Sequence, residues 1–123
     1  MTADGRRGLM AFVRGESNWR SLEELGLQFE FGAQVRVSVP SGTPVLRPNL
    51  TDVAAGYLSQ ADDDARRQWA AVLLAIDIDF ANLEQEGAWP RLLEAIWDAS
   101  AGAVSQESLE FARSLMAGPP RTH

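Results

Sequence analysis

The stretch from Ala65 to Ala99 constrains this chain most: two apolar helical segments flank a short acidic link and carry three of the four tryptophans, Trp69, Trp89 and Trp97. Trp69, Val72, Leu73, Ile76 and Phe80 recur at intervals of three and four, the spacing of one helix face. Ala70, Ala71 and Leu74 fill most of the other side, so residues 69–76 carry no charge. A helix that is apolar nearly all round belongs at the centre of a core. Asp62, Asp63 and Asp64 precede it, where carboxylate oxygens cap free N–H groups and the helix dipole favours negative charge. That capping role outweighs a metal site for the triple aspartate.

The second segment starts at Pro90, favoured at a first helical position because its missing N–H has no partner to lose there. Leu92 and Leu93, Ile96 and Trp97, then Ser100 follow at helical spacing, and Gly102 ends the run. Side-by-side packing of the two helices is predicted, with Trp69 and Trp97 each buried against the other's helix.

The flanking sequence fits around this pair. Leu9, Phe12 and Val13 give one helical face closed by Gly15; Ser17 or Asn18 can cap a second piece in which Trp19, Leu22 and Leu25 share a face up to Gly26. The period then changes to two. Leu27, Phe29 and Phe31 alternate with polar residues, as do Val35, Val37 and Val39, which predicts a hairpin over residues 27–39 turning at Gly32-Ala33. Pro40, Gly42, Pro44 and Pro48 make a loop with a short edge segment at Val45-Leu46. Asn49 or Thr51 can cap a helix to about Gln60 with Leu50, Val53 and Tyr57 inward, and Ser105 can cap a last helix through Leu115-Met116. The expected fold is α+β and mostly helical, with about five or six helices and a small antiparallel sheet. One globular domain over residues 1–123 is expected, with short flexible termini at about 1–5 and 118–123.

Charge and composition narrow the function. A formal net charge of -6 disfavours a nucleic-acid backbone as partner, since that calls for clustered positive charge. Without cysteine, disulfides, thiolate chemistry and cysteine zinc sites are excluded. No apolar run approaches the length of a membrane span and the first ten residues lack a signal-peptide pattern, so a soluble cytoplasmic protein is the default expectation. The one histidine is His123, at the end of the sequence, where no serine triad can easily be held together, and neither GxGxxG nor a phosphate loop occurs.

Carboxylates remain. Asp77 and Asp79 flank Ile78: an extended backbone would point both the same way, toward a shared hard cation, whereas a helix would set them about 200° apart. The competing role for aspartates in such a link is to turn the chain and cap the next helical turn. From residue 77 to 98 six acids (Asp77, Asp79, Glu84, Glu86, Glu94, Asp98) face one base, Arg91. The imbalance extends along the chain: residues 1–50 hold six arginines and five acids, net +1, and residues 51–123 hold five arginines and twelve acids, net -7. So one-sided a field speeds encounter with a basic partner. Trp89, at the edge of this acidic run, reads equally as core or as interface.

The reading that asks least of absent residues is a small acidic, non-enzymatic binding protein of the inhibitor or bacterial immunity type. It would mask a basic partner protein through Asp77, Asp79, Glu84, Glu86, Trp89, Glu94 and Asp98. A carboxylate-dependent metal enzyme or small-ligand binder using Asp77 and Asp79 is one alternative; a structural or assembly subunit, with the hairpin edge or last helix completing a partner, is another. On the favoured reading no catalytic residue, metal or cofactor is expected.

Overall fold

A computed structural model describes residues 3–32, 35–79, 81–84 and 87–117. Five helices of nine residues or more are α1 (Ala3–Val13), α3 (Leu50–Leu58), α4 (Asp63–Ala75), α6 (Trp89–Ser100) and α7 (Gln106–Met116); α2 (Arg20–Glu23) and α5 (Ala81–Glu84) are single turns. Between α2 and α3, β1 (Gln28–Phe31) and β2 (Val35–Ser38) pair antiparallel. The fold is α+β and mostly helical. The Gly32-Ala33 turn expected in the hairpin and the side chain of Phe80 lie partly or wholly outside the described residues.

Short-range chemistry sets the helix starts. Asn49 accepts from the Asp52 backbone N–H while the Asp52 carboxylate accepts from that of Asn49, a reciprocal capping box. Asp62 accepts from the Ala65 N–H at 2.8 Å and Ser105 from the Ser108 N–H at 3.0 Å. At the C-terminal end of α6, Gly102 has φ of 92°, which lets the Ala103 N–H reach back to the Asp98 carbonyl at 2.8 Å. A side chain at Gly102 would strain that turn.

The two layers of helices share one core. α4 packs along α6, and α3 along α7. Trp69, Tyr57, Phe12, Leu9, Leu73, Leu92 and Ile96 are all at most 2 % exposed. Each large apolar side chain so buried contributes roughly 1.5–3 kcal/mol of transfer free energy. Trp69 sits where α1, α3 and α4 meet: its indole N–H donates to the Phe12 carbonyl at 3.2 Å, and its ring meets Tyr57 edge-on at 6.2 Å. Arg66 is the one buried charged residue described, and it is satisfied. Its guanidinium donates to the Tyr57 carbonyl at 2.7 Å and to Asp63 at 2.6 Å and lies over the Tyr57 ring, so burial leaves no orphan charge.

The hairpin closes one side of this core. Phe29 faces Val37 and Phe31 faces Val35 across the strands, while Glu30 faces Arg36 on the exposed face, an opposite-charge cross-strand pair. Trp19 covers the apolar face, its ring 5.4 Å from Phe29 and 4.6 Å from Phe31, and its N–H donates to Gln68 of α4 at 3.1 Å.

Two sequence expectations change. The first central helix ends at Ala75; Ile76 is already extended, and Leu46 pairs in parallel with Ile78 through bonds to the Asp77 carbonyl and the Asp79 N–H. The predicted edge segment at Val45-Leu46 therefore exists, with the acidic link as its partner. The second change is Trp97, which is 57 % exposed and not buried against α4 as expected. The buried positions of α6 are Trp89, Leu92, Ala95, Ile96 and Ala99. At 100° per residue, Trp97 falls about 140° around the axis from Leu92, beyond the edge of that stripe.

Candidate functional site

The acidic residues singled out in the sequence divide among three places. Asp79 is occupied: one carboxylate oxygen pairs with the Arg47 Nε at 3.2 Å and the other accepts from the Ala81 N–H at 3.0 Å, turning the chain into α5. Asp77 is exposed two residues earlier on the extended segment. The backbone that would let these two carboxylates share a cation is thus present, but Asp79 is committed to a cap and an ion pair. Among the described residues no three His, Cys, Asp or Glu side chains are grouped as a metal would require.

Glu84 ends α5, and its side chain is not among those described; Glu86 lies outside the described residues. Trp89 is 3 % exposed and belongs to the core as the first residue of α6. Its proposed contact with a partner is corrected on that ground: the α6 stripe that buries Leu92 and Ile96 runs through it.

Glu94 and Asp98 are brought together, and with a residue that the sequence reading placed elsewhere. They lie on α6 three residues before and one after Trp97, and both are exposed. Position 94 neighbours both 97 and 98 on the helix surface, at spacings of three and four. The outer face of α6 is therefore an exposed indole with two carboxylates to one side of it. Trp97 shares the spacing of Leu93 and Ile96, which pointed to the core; the stripe that is buried is instead Trp89, Leu92, Ile96 and Ala99, at steps of three, four and three.

Where α6 crosses α7, a groove of about 210 Å³ opens, with Glu94 and Asp98 on one wall and the first turn of α7 on the other. Arg91 reaches across it, its guanidinium 4.2 Å from the Phe111 ring centroid and 3.3 Å from Glu107. The Ser105 and Ser108 hydroxyls bond each other at 2.8 Å. Behind them lies Tyr57, fully buried, whose hydroxyl has no hydrogen-bond partner of acceptable geometry among the described residues.

Burial holds the proton on the Tyr57 hydroxyl, raising its pKa above the ordinary 10.0; Ser108 and Arg66 act the other way without offsetting it. The sign of the stability effect follows. An unfolded chain releases this proton near pH 10 and the folded chain only above it, so stability is intact below that pH and falls as the pH rises through the folded value. Tyr57 is the only tyrosine, so tyrosinate absorbance reports it alone. In an alkaline titration tyrosinate is expected only as the near-ultraviolet signal of the packed tryptophans disappears. Reversible ionisation near pH 10 with that signal intact would mean that the hydroxyl is accessible.

Fold and site together define a small α+β protein whose second half presents an acidic, tryptophan-bearing helix face. No protein-family model, curated protein or solved structure matches this chain. Among the described residues no helix is long and apolar enough to cross a membrane.

Proposed function

We propose that this protein binds and masks a basic partner protein through the outer face of α6, as a non-enzymatic inhibitor of the immunity type. The observation that carries the reading is Trp97, 57 % exposed, with Glu94 and Asp98 to one side of it on the helix surface. More than half of this indole is left in water, and tryptophan is among the residues that dominate binding energy at interfaces. The carboxylates beside it set the sign of the partner, and the net charge of -7 over residues 51–123 extends the same field. Asp77 adds to that field from the link, while Asp79 contributes less because Arg47 neutralises it. Glu84 and Glu86 belong to the proposal by sequence position alone.

The test is affinity capture from the native cell with wild-type protein and two variants, Trp97→Ala and the pair Glu94→Gln with Asp98→Asn. A single basic protein should be retained by the wild type. Trp97→Ala should weaken its binding by at least about 30-fold, the scale of a hot-spot truncation near 2 kcal/mol. The charge pair should slow association and flatten its salt dependence. Retention of the same proteins by all three forms would remove this face from the interface, and recovery of acidic proteins would reverse the sign of the proposal.

A further inference from the structure

The groove between α6 and α7 has a chemistry of its own. Its acceptors outnumber its donors: Glu94 and Asp98 on one wall, the Ser105 and Ser108 hydroxyls on the other, and Glu107 beside Phe111. The single cation, Arg91, is laid flat against the Phe111 ring and paired with Glu107, so the groove already holds one guanidinium in an aromatic and carboxylate slot. That guanidinium is not buried there; the Arg91 side chain is 58 % exposed, so the slot is open to exchange. Glu94 and Asp98 have no cationic partner among the described residues, since the ion pairs found there involve other acids.

The Tyr57 hydroxyl lies buried beneath the first turn of α7, next to Ser108 and outside the lining of the groove, so the chemistry of the groove is that of its own side chains. What Glu94 and Asp98 lack is a multiple N–H donor, because Arg91 is taken up by Phe111 and Glu107.

Resting on the masking function above, we infer that this groove receives an arginine side chain of the basic partner. Arginine is favoured over other occupants by three considerations. Three carboxylates repel an anion. A volume of about 210 Å³ is below the 300–1,000 Å³ of ordinary small-molecule sites and suits the head of one side chain. A compact ammonium would satisfy the charge, but it cannot fork between Glu94 and Asp98 or stack as Arg91 does on Phe111. The incoming guanidinium would lie between Glu94 and Asp98 with its remaining N–H groups toward Ser108, or displace Arg91 from the Phe111 face.

The probes are two blocked peptides, tetra-arginine and tetra-lysine, titrated at matched ionic strength while the amide and ring signals of Ser105, Ser108 and Phe111 are followed by NMR. Tetra-arginine should bind saturably, at least about fivefold tighter than tetra-lysine, with its shifts centred on Ser108 and Phe111. Asp98→Asn should weaken it severalfold and narrow the preference, while Arg91→Gln, which vacates the Phe111 face, should widen it. Ser108→Ala reports on the α7 wall and keeps the test independent of charge, since it should weaken tetra-arginine more than tetra-lysine. Equal binding of the two peptides, or shifts spread over all acidic residues and lost with added salt, would overturn the inference and leave only a diffuse field. Failure here with a basic partner still lost on Trp97→Ala would leave the masking function standing. A groove selective for arginine with no basic protein captured would do the reverse.

Discussion

Replacing Trp69 with alanine should remove about 3–5 kcal/mol of stability, the range for a large aromatic cut from a core. Three losses combine. Trp69 is 2 % exposed, so truncation leaves a cavity at the meeting of α1, α3 and α4. Its edge contact with Tyr57 disappears, and the Phe12 carbonyl loses one of its two donors, keeping only the Gly15 N–H. Against a usual total of about 5–15 kcal/mol this is a large share, and the melting temperature should drop by roughly 10–20 °C. Trp97→Ala is the control on the same residue type. With its indole in solvent, it should shift stability by no more than about 0.5 kcal/mol. Thermal melts of the two variants side by side decide the matter: comparable losses would mean that Trp97 is packed after all, and no loss at Trp69 would remove the core as described.

The contrast between these two tryptophans shows what local sequence can carry. Caps at Asn49, Asp62 and Ser105 depend on residues three apart, and each was readable because the interacting groups lie within one turn. The hairpin was readable for the same reason, since its period-two pattern and its turn are contiguous. In α6 the doublets Leu92-Leu93 and Ile96-Trp97 offer two overlapping stripes of equal apolar character. Periodicity alone does not choose between them; the choice is made by α4, which meets the Leu92 and Ile96 side.

The site was less readable, because its parts are joined by contacts distant in sequence. Whether Asp77 and Asp79 sat on a helix or an extended strand turned on Leu46, more than thirty residues earlier, which pairs with Ile78 and brings Arg47 to Asp79. Charge counting found Glu94 and Asp98 but ranked them with buried Trp89 rather than exposed Trp97. The groove was invisible in sequence, since Ser108 and Phe111 reach Arg91 and Asp98 only once α7 has folded back across α6.

The last expected result concerns Gly56, in the last turn of α3, where helix propensity and packing oppose each other. On propensity alone, Gly56→Ala should stabilise an interior helical position by about 0.5–1 kcal/mol. The surroundings forbid it. A Cβ at this position would fall on the Val13 carbonyl oxygen and come within 2.8 Å of Trp69 Cε2. The first obstacle is backbone at the end of α1 and has no rotamer to change. The second is a buried indole fixed by its bond to Phe12, so it cannot swing aside without breaking that bond. Overpacking costs about 1–3 kcal/mol where side chains can shift, and more where backbone must. Gly56→Ala should therefore destabilise by about 3 kcal/mol, and Gly56→Val should prevent a cooperative transition altogether. Chemical denaturation of Gly56→Ala measures which effect wins. A midpoint above that of the wild type would show that α1 and α3 do not approach as closely as Gly56 requires, and with that contact the placement of Trp69 would fall too.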